Sequence, residues 1–157
     1  MNRELEALVT PVVSHRFLTL FLFNKIIPSP IDIFFQKVSG LNREMDVSPH
    51  RQGGDNVGEI YLPQHVRHGS LVLERGVMTM TPLTWTFNNV MSEFNASYVN
   101  VVVMLLNHKS IPISSWTLTD AMPVKWQMGE LDANSNQILI NRMELVYRDI
   151  NWLGTKL

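Results

Sequence analysis

The stretch from Trp116 to Tyr147, WTLTDAMPVKWQMGELDANSNQILINRMELVY, restricts this chain to a β architecture more tightly than any other part of it. Trp116, Leu118 and Asp120 alternate with Thr117 and Thr119, which is the period of a half-buried strand. Pro123 removes a ladder donor and pushes Met122 toward extended backbone, so this strand is expected to end or bend there. Gly129 and the polar run Asp132, Asn134, Ser135, Asn136 supply residues that tolerate tight or left-handed turns. A second long strand is expected from Gln137. Ile138 and Ile140 share one face, and Met143, Leu145 and Tyr147 continue the apolar set with the phase shifted by one residue. Such a shift implies a bulge, or a strand passing between two packed surfaces.

The rest of the chain reads the same way. Residues 1–14 carry Leu5, Leu8 and Val9 at helical spacing, but Pro11 limits any helix, so they are expected to form an N-terminal arm. RFLTLFLF, from Arg16 to Phe23, is apolar on both faces and expects cover on both. Ile26 to Pro30 is an apolar, proline-rich insertion, and Pro28 and Pro30 cannot both sit inside a paired strand. Ile31 to Val38 reads as the second strand, with Ser39 and Gly40 permitting a kink. In LNREMDV, Leu41, Arg43, Met45 and Val47 share one face while Asn42, Glu44 and Asp46 share the other, a one-sided strand. Pro49 to Gly58 is expected to be a polar loop that is either mobile or docked on another chain.

Glu59 to Leu62 and Ser70 to Val77 are further expected strands. Thr81-Pro82 starts a helix of about three turns, because threonine caps well and proline is tolerated at the first position. Its buried face is expected to carry Leu83, Phe87, Val90 or Met91, and Phe94. Tyr98 to Asn107 and Ile111 to Thr119 then form a hairpin across Asn107-His108-Lys109-Ser110. The sum is a mainly β chain with one α-helix, an antiparallel two-sheet barrel or sandwich built around Trp85, Phe87, Trp116 and Leu145, in one domain spanning 1–157.

Composition narrows the function classes. A net charge of −1 over 157 residues lacks the basic excess of a dedicated nucleic-acid binder, and the absence of cysteine removes disulfides and thiolate metal sites. The apolar run Phe17 to Phe23 is too short to span a membrane, so no membrane insertion by this chain is expected. The N-terminus, with Glu4 and Glu6, lacks the pattern of a signal peptide, and synthesis in the cytosol is the simplest expectation. His65-x-x-His68 with Glu59 and Glu74 is the best metal-like cluster, but Pro63 and Gly69 argue for solvated loop histidines. Arg51-Gln52-Gly53-Gly54 lacks the lysine and following helix of a phosphate loop. Asp120, Glu130 and Asp132 read as caps and turn residues, and Asn95-Ala96-Ser97 as a helix end. Trp85, Trp116 and Trp126 read as core or interface, with Trp152 as an exposed anchor. No catalytic residue, metal site or cofactor is expected.

The long motif W-x-L-x-x-A-x-P-x-K followed by L-x-A-x-S-N-x-I-x-I-x-x-M-E-L-V-Y resembles the tail tube protein family of contractile phage tails and phage-like contractile injection systems. Ser39-Gly40-Leu41, the Gly53-Gly54 loop, the Leu62-Pro63 step and Leu73-Glu74-Arg75-Gly76 before a helix fall in the family's order, and the resemblance covers about residues 15 to 150. It implies a structural subunit that forms homo-hexameric rings stacked into a hollow conduit for cargo protein or DNA. Sheath protein, the baseplate hub or spike and tube paralogues are the implied partners. The loop residues Arg51, Gln52, Gly53, Gly54, Asp55 and Asn56 are then the expected subunit interface, and Asn42, Glu44 and Asp46 the expected lumen-facing set. The insertion at Ile26 to Ile31 and the apolar arm depart from the common pattern and fit either a tube-initiator paralogue that joins hub to tube or a lineage variant of the main tube subunit. A monomeric β-barrel that binds a small ligand is the alternative from a different class.

Overall fold

A computed structural model of the protein describes residues 16–23, 27–28, 35–54, 57–76, 81–94, 96–134, 136 and 138–154. The expected arm at 1–14 lies outside these residues, as do Asp55, Asn56, Gln137 and positions 29–34 of the insertion and second strand. The described elements are β1 (Phe17–Phe23), β2 (Ile27–Pro28), β3 (Lys37–Ser39), β4 (Arg43–His50), β5 (Ile60–His68), β6 (Leu71–Arg75), α1 (Pro82–Glu93), β7 (Val99–Leu106), β8 (Pro112–Met128), β9 (Asn141–Val146) and β10 (Asp149–Gly154).

The spine is β8, 17 residues long. Its first part pairs with β7 on one side and β10 on the other, and its last part, Met122 to Met128, pairs with β9. The strand order is β2–β1–β7–β8–β9–β6–β3, with β10 joining β8, and the ladders are antiparallel. One strand therefore serves two sheets, and the turn between them falls where the sequence expects a bend. The register shifts between Pro123 and Lys125, and Asp120 just before takes φ 49° while its amide donates to Asn100 Oδ1 at 3.1 Å. The strand bends at Pro123 instead of ending, because a bulge absorbs the missing donor.

The core follows from the register. Phe21, Val101, Leu118 and Ile150 line up across β1, β7, β8 and β10, and all four are buried. In the second sheet Leu71 faces Leu145 and Leu73 faces Met143, again fully buried. Burying side chains of this size contributes about 1.5–3 kcal/mol each. Leu83 and Phe87 of α1 join the same cluster, and the helix lies against β8.

Thr81 caps the helix as expected. Its hydroxyl accepts from Thr84 N at 3.3 Å and the Thr84 hydroxyl accepts from Thr81 N at 2.7 Å, a reciprocal capping box with Pro82 next in line. Thr81→Ala is expected to lower stability by about 1 kcal/mol, read as a lower midpoint in thermal or urea unfolding; an unchanged midpoint would contradict the cap.

Several expectations are corrected. Trp85 is 62% exposed and stands on the outer face of α1, so it is no part of the core. Phe94, expected on the buried face, is the left-handed C-cap at φ 52° and is 92% exposed. Met91 is also exposed. The strand expected from Gln137 begins at Asn141, so Ile138 and Ile140, both exposed, precede the ladder and the phase shift needs no bulge. The expected loop at 49–58 is shorter, because Pro49 and His50 belong to β4, and the segment after Pro63 is strand where a loop was expected. Trp116 is half-buried against the edge of the core.

Candidate functional site

β4 and β5 form a separate two-stranded ribbon, each paired only with the other among the described residues. An isolated two-stranded hairpin is marginal in water. Every residue of β5 except His68 is exposed. One bulge, where the register slips between Met45 and Val47, adds a residue to β5 around Gln64 and His65. The register then separates two chemically different faces. Met45 opposite Val66, Val47 opposite Pro63 and Pro49 opposite Tyr61 make one face apolar. Met45 is 56%, Val47 51% and Tyr61 61% exposed, so this apolar face has no cover among the described residues.

The other face is charged in its root half, while toward the tip Ser48 stands opposite Leu62 and His50 opposite Ile60, with Leu62 and Ile60 both exposed. Asp46 Oδ2 lies 2.7 Å from Arg67 Nε and 3.0 Å from His65 Nε2, and Glu44 stands opposite Arg67. Asn42, at the foot of β4, donates to Glu44 Oε1 at 3.4 Å. The three residues expected to face a lumen are thus brought together on one side of the ribbon. The residues expected at a subunit interface, Arg51, Gln52, Gly53 and Gly54, are exposed at its tip, where Arg51 Nε donates to Glu59 Oε1 at 2.6 Å and Gly54 adopts φ +101°. Asp55 and Asn56 fall outside the described residues.

The root of the ribbon is clamped to the body by residues that the sequence did not bring together. Gly40 takes φ +88°, and a Cβ there would overlap the Ser70 carbonyl, so only glycine lets the two connections cross. The Tyr147 hydroxyl sits 2.9 Å from the Gly40 carbonyl and 3.0 Å from that of Asn42. Burial pushes its pKa up, which keeps it a donor. Arg43 pairs with Asp149 and donates to the Ile150 carbonyl at 2.7 Å. His68, on β5, packs against Tyr147 with the rings tilted 53° and their centroids 5.4 Å apart, and its Nε2 lies 3.5 Å from Asp149 Oδ1.

The Asp149 carboxyl is held below its ordinary value, first by the Ile150 N–H and then by the Arg43 guanidinium. A carboxyl whose folded value lies below its unfolded value of about 3.9 stabilises the folded state above that pH. The contribution disappears as pH falls through the folded value. Protection from hydrogen exchange at the ribbon root, taken relative to the intrinsic amide rate at each pH, is therefore expected to be steady around neutrality and to fall only in strong acid. Asp149→Asn should lower that protection at neutral pH; unchanged protection would contradict the clamp.

His65 and His68 do not converge, since one serves Asp46 and the other Tyr147 and Asp149. Among the described residues no group of three or more His, Asp or Glu side chains is placed to hold a metal ion, and no helix is long and apolar enough to cross a membrane. What the arrangement can do is present an apolar, two-edged ribbon on a rigid root to another protein surface.

A family model described as T4-like virus tail tube protein gp19 matches residues 19–151. A chain in the cryo-EM structure of the anti-feeding prophage baseplate, 6-fold symmetrised, is 57% identical, with a TM-score of 0.86 over 94% of this chain and 99% of that one. A chain of the extracellular contractile injection system PVC, in its extended sheath–tube complex, has a TM-score of 0.80 at 20% identity and 99% coverage of both chains. A chain of the anti-feeding prophage tube-terminating cap has a TM-score of 0.76 at 21% identity over 93% of both. The last two carry the fold alone. No curated protein sequence matches the chain.

Proposed function

Because the chain belongs to the T4-like virus tail tube protein family, it is a structural subunit of the tube of a contractile tail or injection apparatus, and we propose that six copies close into a ring and that rings stack into a hollow conduit. The observation that carries this reading is the ribbon of β4 and β5, whose apolar face and two outer edges find no partner among the described residues of its own chain. An exposed edge of that length is a template for pairing, and a closed ring of identical copies covers such edges without leaving one free.

In this reading the Met45, Val47, Val66 and Tyr61 face lies on a neighbouring subunit. The tip, Arg51, Gln52, Gly53, Gly54, Asp55 and Asn56, reaches the adjoining ring. The opposite face, with Asn42, Glu44 and Asp46, turns to the channel, where polar side chains let protein cargo or DNA pass without adhering. Function then resides in closure, stacking and the smoothness of the bore, carried by one domain over 1–157 and without enzymatic chemistry.

The high identity to a baseplate chain supports a place in the first ring, joining the hub or spike to the tube paralogues above, with the sheath outside. Assembly takes place in the bacterial cytoplasm, and the product is a phage tail or an extracellular phage-tail-like particle. No observation favours the monomeric ligand-binding barrel.

Deleting Gln52 to Asn56 tests the role of the tip. The expected outcome is a folded subunit that still closes rings but gives no stacks in negative-stain electron microscopy. Tubes of normal length would overturn the assignment.

A further inference from the structure

Arg43 ties two strands together at one point. It pairs with Asp149 and donates to the Ile150 carbonyl, so β4 leaves this apex toward Val47 and β10 leaves it toward Leu153. Each arm runs about 13 Å from the apex. A cleft of about 260 Å³ opens beside the apex, lined by Leu41, Asn42 and Arg43 from the ribbon side and by Trp116, Ile150 and Trp152 from the body. Leu41 and Arg43 alternate in step with Met45 and Val47, so the apolar face of the ribbon is the one that looks toward Trp152. Ile150 is 9% exposed, yet Trp152, next on the same face of β10, is 67% exposed. Its Nε1 donates to Ser114 Oγ at 2.5 Å, which satisfies the polar edge and leaves the ring faces for apolar contact.

The links between ribbon and body are short. β3 ends at Ser39 and β4 starts at Arg43, while β5 ends at His68 and β6 starts at Leu71, so only residues 40–42 and 69–70 join the two. Each link carries a glycine. Gly40 uses a positive φ, and the Gly69 amide reaches the Asn42 carbonyl only at 3.5 Å, a weak hold on the crossing. Beyond the links, no ladder ties β4 or β5 to the body among the described residues. Tyr147, Arg43 and Asp149 hold the apex itself, and a rotation about the apex leaves their contacts in place.

We propose that in the free subunit the ribbon swings about Gly40 and Gly69 to shut this cleft, laying Met45 and Val47 on Trp152 of the same chain. The occupant is the subunit's own ribbon because Leu41 and Arg43 already hold it at the rim, so it loses less freedom on docking than a second molecule does. Closure takes three exposed apolar side chains out of water and sets the Met45 thioether against an indole. Its consequence rests on the ring reading above. Where that ribbon face is the subunit contact, closure hides it, and the apparent affinity for a neighbour falls in proportion to the open fraction. A neighbour that binds the open form draws the equilibrium back toward it.

The chain has no cysteine, so Val47→Cys with Trp152→Cys, and separately Met45→Cys with Trp152→Cys, each create a single possible disulfide. Such a bond needs Cα atoms within about 7 Å, and oxidation accumulates the closed form whatever its share of the population. All three positions are exposed, so the variants are expected to melt close to the parent. In dilute, unassembled full-length protein, an intrachain cross-link is expected in at least one pair. It should form several-fold faster than in Ser48→Cys with Trp152→Cys, because Ser48 lies on the opposite face of the ribbon. No intrachain cross-link in either pair, or one forming as fast with Ser48→Cys, would overturn the proposal. So would cross-links found only between chains, which would place the ribbon on another copy. Ring formation plays no part in the readout, so failure of closure and failure of the tube reading are separable.

Discussion

Replacing Val47 by aspartate is expected to abolish self-assembly while leaving the melting temperature of the subunit close to that of the parent. Val47 is 51% exposed in the isolated chain, so the new carboxylate remains solvated there and costs the fold little. At the centre of an apolar contact the same carboxylate loses its water without gaining a partner, a penalty of several kcal/mol. Each 1.4 kcal/mol weakens a contact about tenfold, and ring closure repeats the loss at every subunit boundary. Sedimentation velocity reads the result directly. Rings forming at the parent's concentration would show that this face is not the interface.

The second large effect belongs to the body of the molecule. Phe21 is fully buried in the row with Val101, Leu118 and Ile150, and its ring lies 5.9 Å from that of Phe35. Phe21→Ala is expected to cost about 3–5 kcal/mol, a large share of the roughly 5–15 kcal/mol that holds a domain folded. In a chain of this size that lowers the melting temperature by roughly 6–20 °C. Trp116→Ala, which the alternation alone marks as an equal core truncation, should cost less, because Trp116 is half-buried at the end of that core. Equal losses at the two positions, by calorimetry, would contradict the register that places one inside and the other at the margin.

Those two residues also mark how far the sequence could be read. Local rules worked where the chain decides locally. Thr81-Pro82 starts α1, Asn107 to Ser110 turns the hairpin with Asn107 Oδ1 accepting from Lys109 N and Ile111 N, and the alternation through β4 separates an apolar from a polar face. They failed where a neighbouring element decides. Helical spacing set Leu83 and Phe87 on the buried face, where they lie, but Phe94, counted on that face, became the exposed left-handed C-cap, and Trp85, counted in the core, stands in solvent. Pro63 reads as a strand breaker, yet it lies on a strand paired on one side only among the described residues, where no ladder donor is needed on the other.

Of the candidate site, the tip and the polar face were legible because glycines and alternating charges are short-range signals. The root was not. Arg43, His68, Tyr147 and Asp149 are spread over more than 100 positions and meet only once β10 lies beside β8. The single local hint was Gly40, which the sequence marked as a kink and the fold uses for a crossing no other residue fits.

The central claim is that the ribbon of β4 and β5 is completed by identical neighbours. Negative-stain class averages of the purified full-length chain, taken over a concentration series, test it most directly. Closed rings with sixfold symmetry that vanish in Val47→Asp are the predicted result. A well-folded parent that stays a single subunit at the highest concentration, alone and with its baseplate neighbours, would contradict it.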